Sequence, residues 1–268
     1  MEDRSPAESS DGLRGQVAIV TGAANGIGRA FANGLLDRGM FVVACDIDEC
    51  VHELDAATHT ADVSQPDDVE RVVRAALDEF GRIDVLVNNA GVVRPTRAGD
   101  DWKKGIDDYQ FVVGTNLYGA FLFGRAVAPA MIERRSGHIV NICTDHVYPM
   151  PPERVWGHGG MDLYNASKWA LNGLTLDWAT TLRKKGIRVN GICMGATDTP
   201  MLRQFAGDAA DDVVASWMRP EQICEMLAEL LLEGLDGRTG HNLGLWVGRE
   251  LRLDDSAEVG HRPVDAPR

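Results

Sequence analysis

The sequence predicts an α/β protein, a single doubly wound parallel sheet with helices on both faces. Three observations carry that expectation. Short apolar runs of strand length alternate with stretches of helical length along the 268 residues. The first such run passes directly into a glycine turn, Gly22-Ala23-Ala24-Asn25-Gly26-Ile27-Gly28, and then into a helical stretch. An acid, Asp46, closes the second run, about 20 residues beyond the turn.

Taken in order, Gln16 to Val20 is a short apolar run and is predicted as a buried strand. Gly22, Asn25, Gly26, Ile27 and Gly28 follow it. Glycines there let the backbone approach a pyrophosphate, and the helix opening at Ile27 offers unpaired N–H groups to it. That helix is predicted to run to Asp37 and stop at Gly39. Phe41 to Cys45 is the second strand. Asp46 at its end has the position of a carboxylate that accepts from a ribose and repels a 2′-phosphate, which favours NAD over NADP; a plain turn carboxylate is the alternative. A weak third strand spans Thr58 to Ala61 and ends in Asp62-Val63, and Pro66 opens a helix that reaches Phe80. The fourth strand, Ile83 to Val87, leads to the small turn Asn88-Asn89-Ala90-Gly91. Residues 106–134 read as one long helical stretch containing Asn116, apolar on more than one face from Leu117 to Met131. That pattern suits a helix that meets both the sheet and a second subunit. His138 to Ile142, Ile187 to Cys193 and Leu243 to Val247 complete the strands, with helices expected over Thr199 to Met218 and over Pro220 to Leu232.

Composition bounds the function. With 44% apolar and 25% charged residues, the chain suits one globular domain, expected at 14–253 between polar tails at 1–13 and 254–268. A net charge of −13 repels phosphate backbones, so no nucleic-acid partner is expected. No run of about 18 apolar residues exists, so neither is a membrane span. Residues 1–12 lack an apolar core, which argues against a signal peptide. The five cysteines are odd in number and form no CxxC pair; they are read as reduced thiols of a cytoplasmic protein, with no metal site.

Tyr164 and Lys168 lie four residues apart and so share a helical face. A phenol of ordinary pKa near ~10 cannot serve as a base at neutral pH, and a cation beside it favours the phenolate. Isolated, such a pair is common on solvated helix faces. Here it accompanies Thr21-Gly-x-x-x-Gly26-Ile-Gly28, Asp62-Val63, Asn88-Asn-Ala-Gly91, Asn116, and Arg188-Val-Asn190 through Thr199-Pro200. With these motifs, in this order over roughly residues 14–250, the chain resembles the short-chain dehydrogenase/reductase family.

The resemblance implies a single Rossmann-type domain, a nicotinamide cofactor (NAD, which Asp46 favours), hydride exchange between an alcohol and a carbonyl, and a homodimer or homotetramer packed through the long helices after the fourth and fifth strands. It implies that Tyr164 is the general acid/base. Lys168 would lower its pKa and hold the nicotinamide ribose, and Asn116 would position a relay water. Asp62 and Val63 would contact adenine, Asn88, Ala90 and Gly91 would line the cofactor, and Thr197 and Thr199 would meet its carboxamide and phosphates. Two departures stand out. No serine occurs between Ser136 and Ser167, so Thr144 takes the place of the family's oxygen-polarising Ser, with Asp145 or His146 as alternatives. The usual Pro-Gly after the sixth strand is Met194-Gly195. The loop 144–160 is longer than usual, and Tyr148, Met150 and Trp156 are expected to wall a pocket for a cyclic or otherwise hydrophobic secondary alcohol. A nucleotide-binding scaffold with little catalysis is the competing expectation.

Overall fold

The computed structural model describes residues 12–148 and 160–253. The expected tails therefore lie outside the described residues, except Gly12 and Leu13, as do Met150, Trp156 and His158 of the long loop. Leu13 is 1% exposed and belongs to the core, so the folded domain already includes it.

Seven strands form one wholly parallel sheet: β1 (Val17–Thr21), β2 (Phe41–Asp46), β3 (Ala57–Thr60), β4 (Val85–Asn88), β5 (Gly137–Thr144), β6 (Ile187–Met194) and β7 (Asn242–Leu245). Their spatial order is β3-β2-β1-β4-β5-β6-β7. The chain works outward in one direction from β1, then returns to start again at β4. Side chains alternate across the sheet with period two, and the core divides accordingly. Ala18, Val20, Val42 and Val87 face one layer, where Phe31 and Leu35 of α1 (Gly26–Asp37) meet Ile223 and Leu227 of α8 (Pro220–Leu232). Ile19, Val43 and Leu86 face the other, against α2 (Pro66–Phe80), α4 (Ala120–Arg134) and α5 (Asp162–Leu182). Each fully buried side chain of this size contributes about 1.5–3 kcal/mol.

The long helical stretch is not uniform. It divides into α3 (Trp102–Val113), a wider π-type turn over Gly114–Gly119, and α4. By length and apolar composition the run Trp102–Arg134 would suffice to cross a membrane. In the fold it is committed elsewhere, because Phe123, Val127 and Met131 are buried against the sheet. Between β6 and α8 the expected single helical segment is two short helices, α6 (Pro200–Ala206) and α7 (Asp211–Ser216).

At the end of the sheet where the strands begin, opposite the glycine turn, His138 of β5 lies beside Arg188 of β6. His138 is 4% exposed, and its Nε2 accepts from the Asn190 amide at 2.9 Å. Burial, reinforced by the Arg188 guanidinium, depresses its pKa well below the ordinary value. A histidine held neutral in the native state contributes stability that is complete above its unfolded pKa and is lost as pH falls below it. Urea unfolding between pH 7.5 and pH 5 is expected to show a stability loss below about pH 6.5 of up to ~1.4 kcal/mol per unit from this residue. The slope in His138→Gln should be shallower by about that amount; an unchanged slope would show that the imidazole is already charged in the native state.

Candidate active site

The carboxyl ends of β1 and β4 are neighbours, yet their chains leave to opposite sides. Such a switch point opens a crevice above the strands. Here it is a cavity of about 580 Å³, within the range of small-molecule sites.

The glycine turn forms one wall. Gly22 and Gly26 adopt φ of 66° and 55°, which L side chains rarely do. A Cβ on Gly28 would stand 1.9 Å from the Gly22 carbonyl oxygen, so the turn can coil this tightly only without one. Behind it, α1 starts with no side-chain cap, leaving its first N–H groups aimed at the crevice as an anion site. A second loop is stapled against the turn. The Thr21 hydroxyl accepts from the N–H groups of Asn89 and Ala90 at 3.1 and 3.0 Å, and the Asn89 amide donates to the carbonyls of Thr21 and Gly22 at 2.9 and 3.0 Å.

Asp46 ends β2 at the rim. One carboxylate oxygen accepts from Ala24 N at 3.0 Å and the other from Asp48 N at 3.0 Å, so it also serves as the turn carboxylate considered as its alternative role. Arg29 folds back to the Ala24 carbonyl at 3.2 Å, and its guanidinium is also paired with Glu53 at 3.0 Å. Asp62 and Val63 line the cavity, the Asp62 carboxylate accepting from both the N–H and the hydroxyl of Ser64. Ala90, Gly91, Thr197 and Thr199 line it as well. Thr199 caps α6, accepting from Leu202 N at 3.2 Å, and its methyl carbon would lie 3.2 Å from a Cβ on Gly26. The start of α6 thus covers the glycine turn.

Asn88 is the residue that the structure moves out of the site. It shares the inward face of Leu86, is 4% exposed, and donates to Asn141 Oδ1 at 2.9 Å beneath α4. Its neighbour Asn89 lines the cavity instead. Period-two alternation along β4 was the signal that distinguished them. Tyr148 is likewise displaced: it is 2% exposed, stacks edge-on against Trp246, donates to the Asn242 carbonyl at 2.6 Å, and does not line the cavity. Ile47, Ser64, Gln110, Phe111 and Phe205 line the cavity without having been anticipated, because neither motif nor periodicity marks them.

The reactive end gathers Thr144, Tyr164 and Lys168 on the cavity wall. Thr144 is the last residue of β5; its hydroxyl donates to Asp145 Oδ1 at 3.4 Å and lies by the Tyr164 phenol, whose pKa it lowers. Asp145 and His146 also face the cavity, and His146 is held by Asn165 at 2.9 Å with its ring edge-on to Tyr164. Asn116 sits just behind, 1% exposed. Its amide brackets Val92, accepting from N at 2.7 Å and donating to O at 3.0 Å, and donates to Ser167 Oγ at 3.1 Å. Gly91 leaves a gap there: a Cβ on it would lie 3.5 Å from both Asn116 Oδ1 and Lys168 Nζ.

The electrostatics of the pair differ from the sequence expectation. Lys168 Nζ donates to the Ile142 carbonyl at 2.7 Å and stands 6.0 Å from the Tyr164 ring centroid. Burial lowers the lysine's pKa, while the Tyr164 phenol is pushed up to about 12, by burial first, with the Thr144 hydrogen bond opposing. The lysine is not close enough to reverse the cost of burying a phenolate.

The chain is similar to known proteins in sequence and in fold. The sequence model described as short chain dehydrogenase matches residues 16–209. The chain is 31% identical over 248 residues to the 3-oxoacyl-acyl-carrier-protein reductase FabG of Thermotoga maritima, an alignment covering 87% of this chain and 97% of that one. It is 37% identical over 197 residues to the 2-(R)-hydroxypropyl-CoM dehydrogenase of Xanthobacter autotrophicus, covering 69% and 76%. Among solved structures, ligand-free aldohexose dehydrogenase of Thermoplasma acidophilum superposes with a TM-score of 0.77 at 27% identity, covering 96% of this chain and 98% of that one. The 3-ketoacyl-acyl-carrier-protein reductase of Brucella melitensis complexed with NADH gives 0.76 at 28% identity, covering 89% and 100%.

The tight coil at Gly28 should be measurable. Gly28→Ala is expected to lower the melting temperature by several degrees, since about 1 kcal/mol of strain shifts a domain of this size by roughly 2–4 °C. Gly99→Ala, where an added Cβ would meet nothing within 4 Å, should leave it unchanged.

Proposed function

Because this chain belongs to the short-chain dehydrogenase family and is an oxidoreductase of that family, we propose that it moves hydride between NAD(H) and a secondary alcohol or ketone, with Tyr164 as general acid/base. The observation that carries this reading is the arrangement of one cavity: a glycine cradle and bare helix N-terminus at one end, and a Thr144–Tyr164 hydroxyl pair beside Lys168 at the other.

The cradle fits a dinucleotide by its tight glycine turn, the uncapped α1 and the Asp46 carboxylate. Gly22, Asn25, Gly26, Ile27 and Gly28 would take the phosphates, Asp46 the ribose, and Asp62 and Val63 the adenine. When bound, NAD supplies the hydride acceptor and a positive charge. Tyr164 moves the proton: in reduction its neutral phenol donates to the substrate oxygen, and in oxidation it takes the hydroxyl proton back. A pKa pushed up to about 12 suits the donor role as the site stands. Thr144 holds the reacting oxygen through its hydroxyl. Lys168, fixed to the Ile142 carbonyl, places a charge within reach of the same cleft, and the gap at Gly91 between Lys168 and Asn116 has room for a relay water.

Besides the residues assigned to the cofactor, the cavity is lined by Val92, Val93, Phe111 and Met161 together with the polar Gln110 and His146. This mixture supports a largely apolar ketone or alcohol. The relatives named above act on 3-oxoacyl and hydroxypropyl compounds, which is consistent with that class. Exposed Tyr118, Phe121, Trp169 and Leu176 on α4, α5 and the turn before α4 support self-association as a homodimer or homotetramer. A second reading, a nucleotide-binding scaffold with little chemistry, is favoured by the high phenol pKa and by Thr in place of Ser.

A panel of secondary alcohols with NAD, and of ketones including ethyl acetoacetate with NADH, separates the two when followed by nicotinamide absorbance. Turnover is expected, with Tyr164→Phe falling at least ~10³-fold while NADH still binds; tight NADH binding without turnover on any member would favour the scaffold. Thr144→Ser should keep most of the rate, whereas Thr144→Val should lose roughly 10²-fold or more. NADH should bind more tightly than NADPH in fluorescence titrations, and Asp46→Asn should narrow the gap. Equal affinities in the wild type would remove Asp46 from its proposed role.

A further inference from the structure

β5 and β6 run in parallel register with Cys143 directly opposite Cys193. Paired positions put both thiols on one face, in a buried cluster with Tyr148, Leu171 and Trp246. Both are free, and the Cys193 thiol donates to Asn172 Oδ1 at 3.7 Å. Neighbouring strands lie about 4.8 Å apart, inside the ~4.4–6.8 Å Cα separation that a disulfide spans. That spacing leaves the Cβ atoms wider than a relaxed bridge prefers, so a bridge here would form under strain and reduce readily.

The pair is not sealed off. Cys143 lines the same cavity as Thr144, Tyr164 and Lys168, so a small solute that enters the cleft reaches its sulfur. The hydrogen bond from Cys193, and after it the Lys168 ammonium, hold the Cys143 thiol below its ordinary pKa against the opposing effect of burial. A thiolate is the form that attacks oxidants. Burial raises Cys193 well above its ordinary value, as it raises Cys45 and Cys224, so Cys143 is the attacking thiol of the pair; Cys50 is exposed with no cysteine opposite it in any strand.

We propose that Cys143 and Cys193 are an oxidant-sensitive dithiol in the floor of the cleft, which a hydroperoxide converts to a disulfide that disables the site. The Cys143 thiolate attacks one peroxide oxygen. The O–O bond breaks, the departing oxygen leaves as water, and Cys143 becomes a sulfenic acid. The Cys193 sulfur then attacks Cys143, the S–O bond breaks, and a second water leaves as the S–S bond forms. The two thiols together lose two electrons and two protons, and the peroxide gains them. The bridge would act at a sensitive point. Cys143 lies between Ile142, whose carbonyl holds Lys168 Nζ at 2.7 Å, and Thr144, which shares the cavity wall with Tyr164 and lowers the phenol's pKa. Drawing Cys143 toward β6 shifts both. This last step rests on the function proposed above; bond formation does not.

The full-length protein is treated with hydrogen peroxide, alkylated in denaturant, digested and weighed, with NADH-dependent reduction of ethyl acetoacetate followed in parallel. A Cys143–Cys193 cross-linked peptide, lighter by two hydrogens and released by dithiothreitol, is expected, with a reversible rate loss of about 100-fold, the cost of a displacement near 1 Å. Saturating NADH should slow its formation by filling the cleft. In Cys193→Ala the bridge should be absent and Cys143 should instead react with dimedone as a sulfenic acid. The proposal fails if both cysteines remain alkylatable while Cys50 is oxidised. A bridge that forms with the rate unchanged overturns the switch, and with it the roles given to Lys168 and Thr144, while leaving the dithiol chemistry in place.

Discussion

The whole cleft depends on how closely two loops can approach. The chain leaving β1 and the chain leaving β4 are pinned by four hydrogen bonds among Thr21, Gly22, Asn89 and Ala90. A Cβ on Gly22 would lie 2.7 Å from the Ala90 Cα, so the contact exists only because position 22 has none. From that contact the rest follows. It fixes the mouth of the crevice and sets the first turn of α1 against it. It also brings Gly91 next to Asn116 and Lys168, so that both ends of the cavity share one anchor.

The reactive end shows burial and charge in competition. The fold places a phenol, an ammonium, two thiols and a carboxylate around one wall and excludes water from most of them. Desolvation is the largest influence on Tyr164 and on Lys168, and it favours the neutral form of each. Ionised neighbours are too few or too far to reverse it. A neutral phenol is the resting condition of the site, and chemistry that needs phenolate must bring further positive charge into the cleft with its reactants.

Much of this was legible in the sequence because it is local. The glycine turn, the acid after β2 and the Tyr-x-x-x-Lys spacing are each determined within a few residues, and strand and helix periods predicted the sheet and its layers. What escaped reading was relational. Asn88 and Asn89 are identical in composition and differ only in which face of β4 they occupy. Tyr148 is adjacent to the cavity in sequence, yet the small Gly244 lets its hydroxyl pass across the strands to Asn242. Arg29 and Asp46 are far apart in the chain, yet both hold Ala24, one by its carbonyl and the other by its N–H. The π-type turn gave no signal, since its residues read as ordinary helix.

That wider turn makes chain length itself a functional variable. A regular helix advances about 100° per residue, so the one extra residue accommodated between Gly114 and Gly119 sets the angular phase of everything before it relative to everything after it. Losing a single residue there would heal the helix and improve its backbone bonding. It would also rotate Asn116 off Val92, or else swing the apolar ridge of α4 off the sheet. The segment trades local regularity for holding two independent orientations on one rod, and a deletion that looks harmless in an alignment would be tolerated by the helix but not by the crevice beside it.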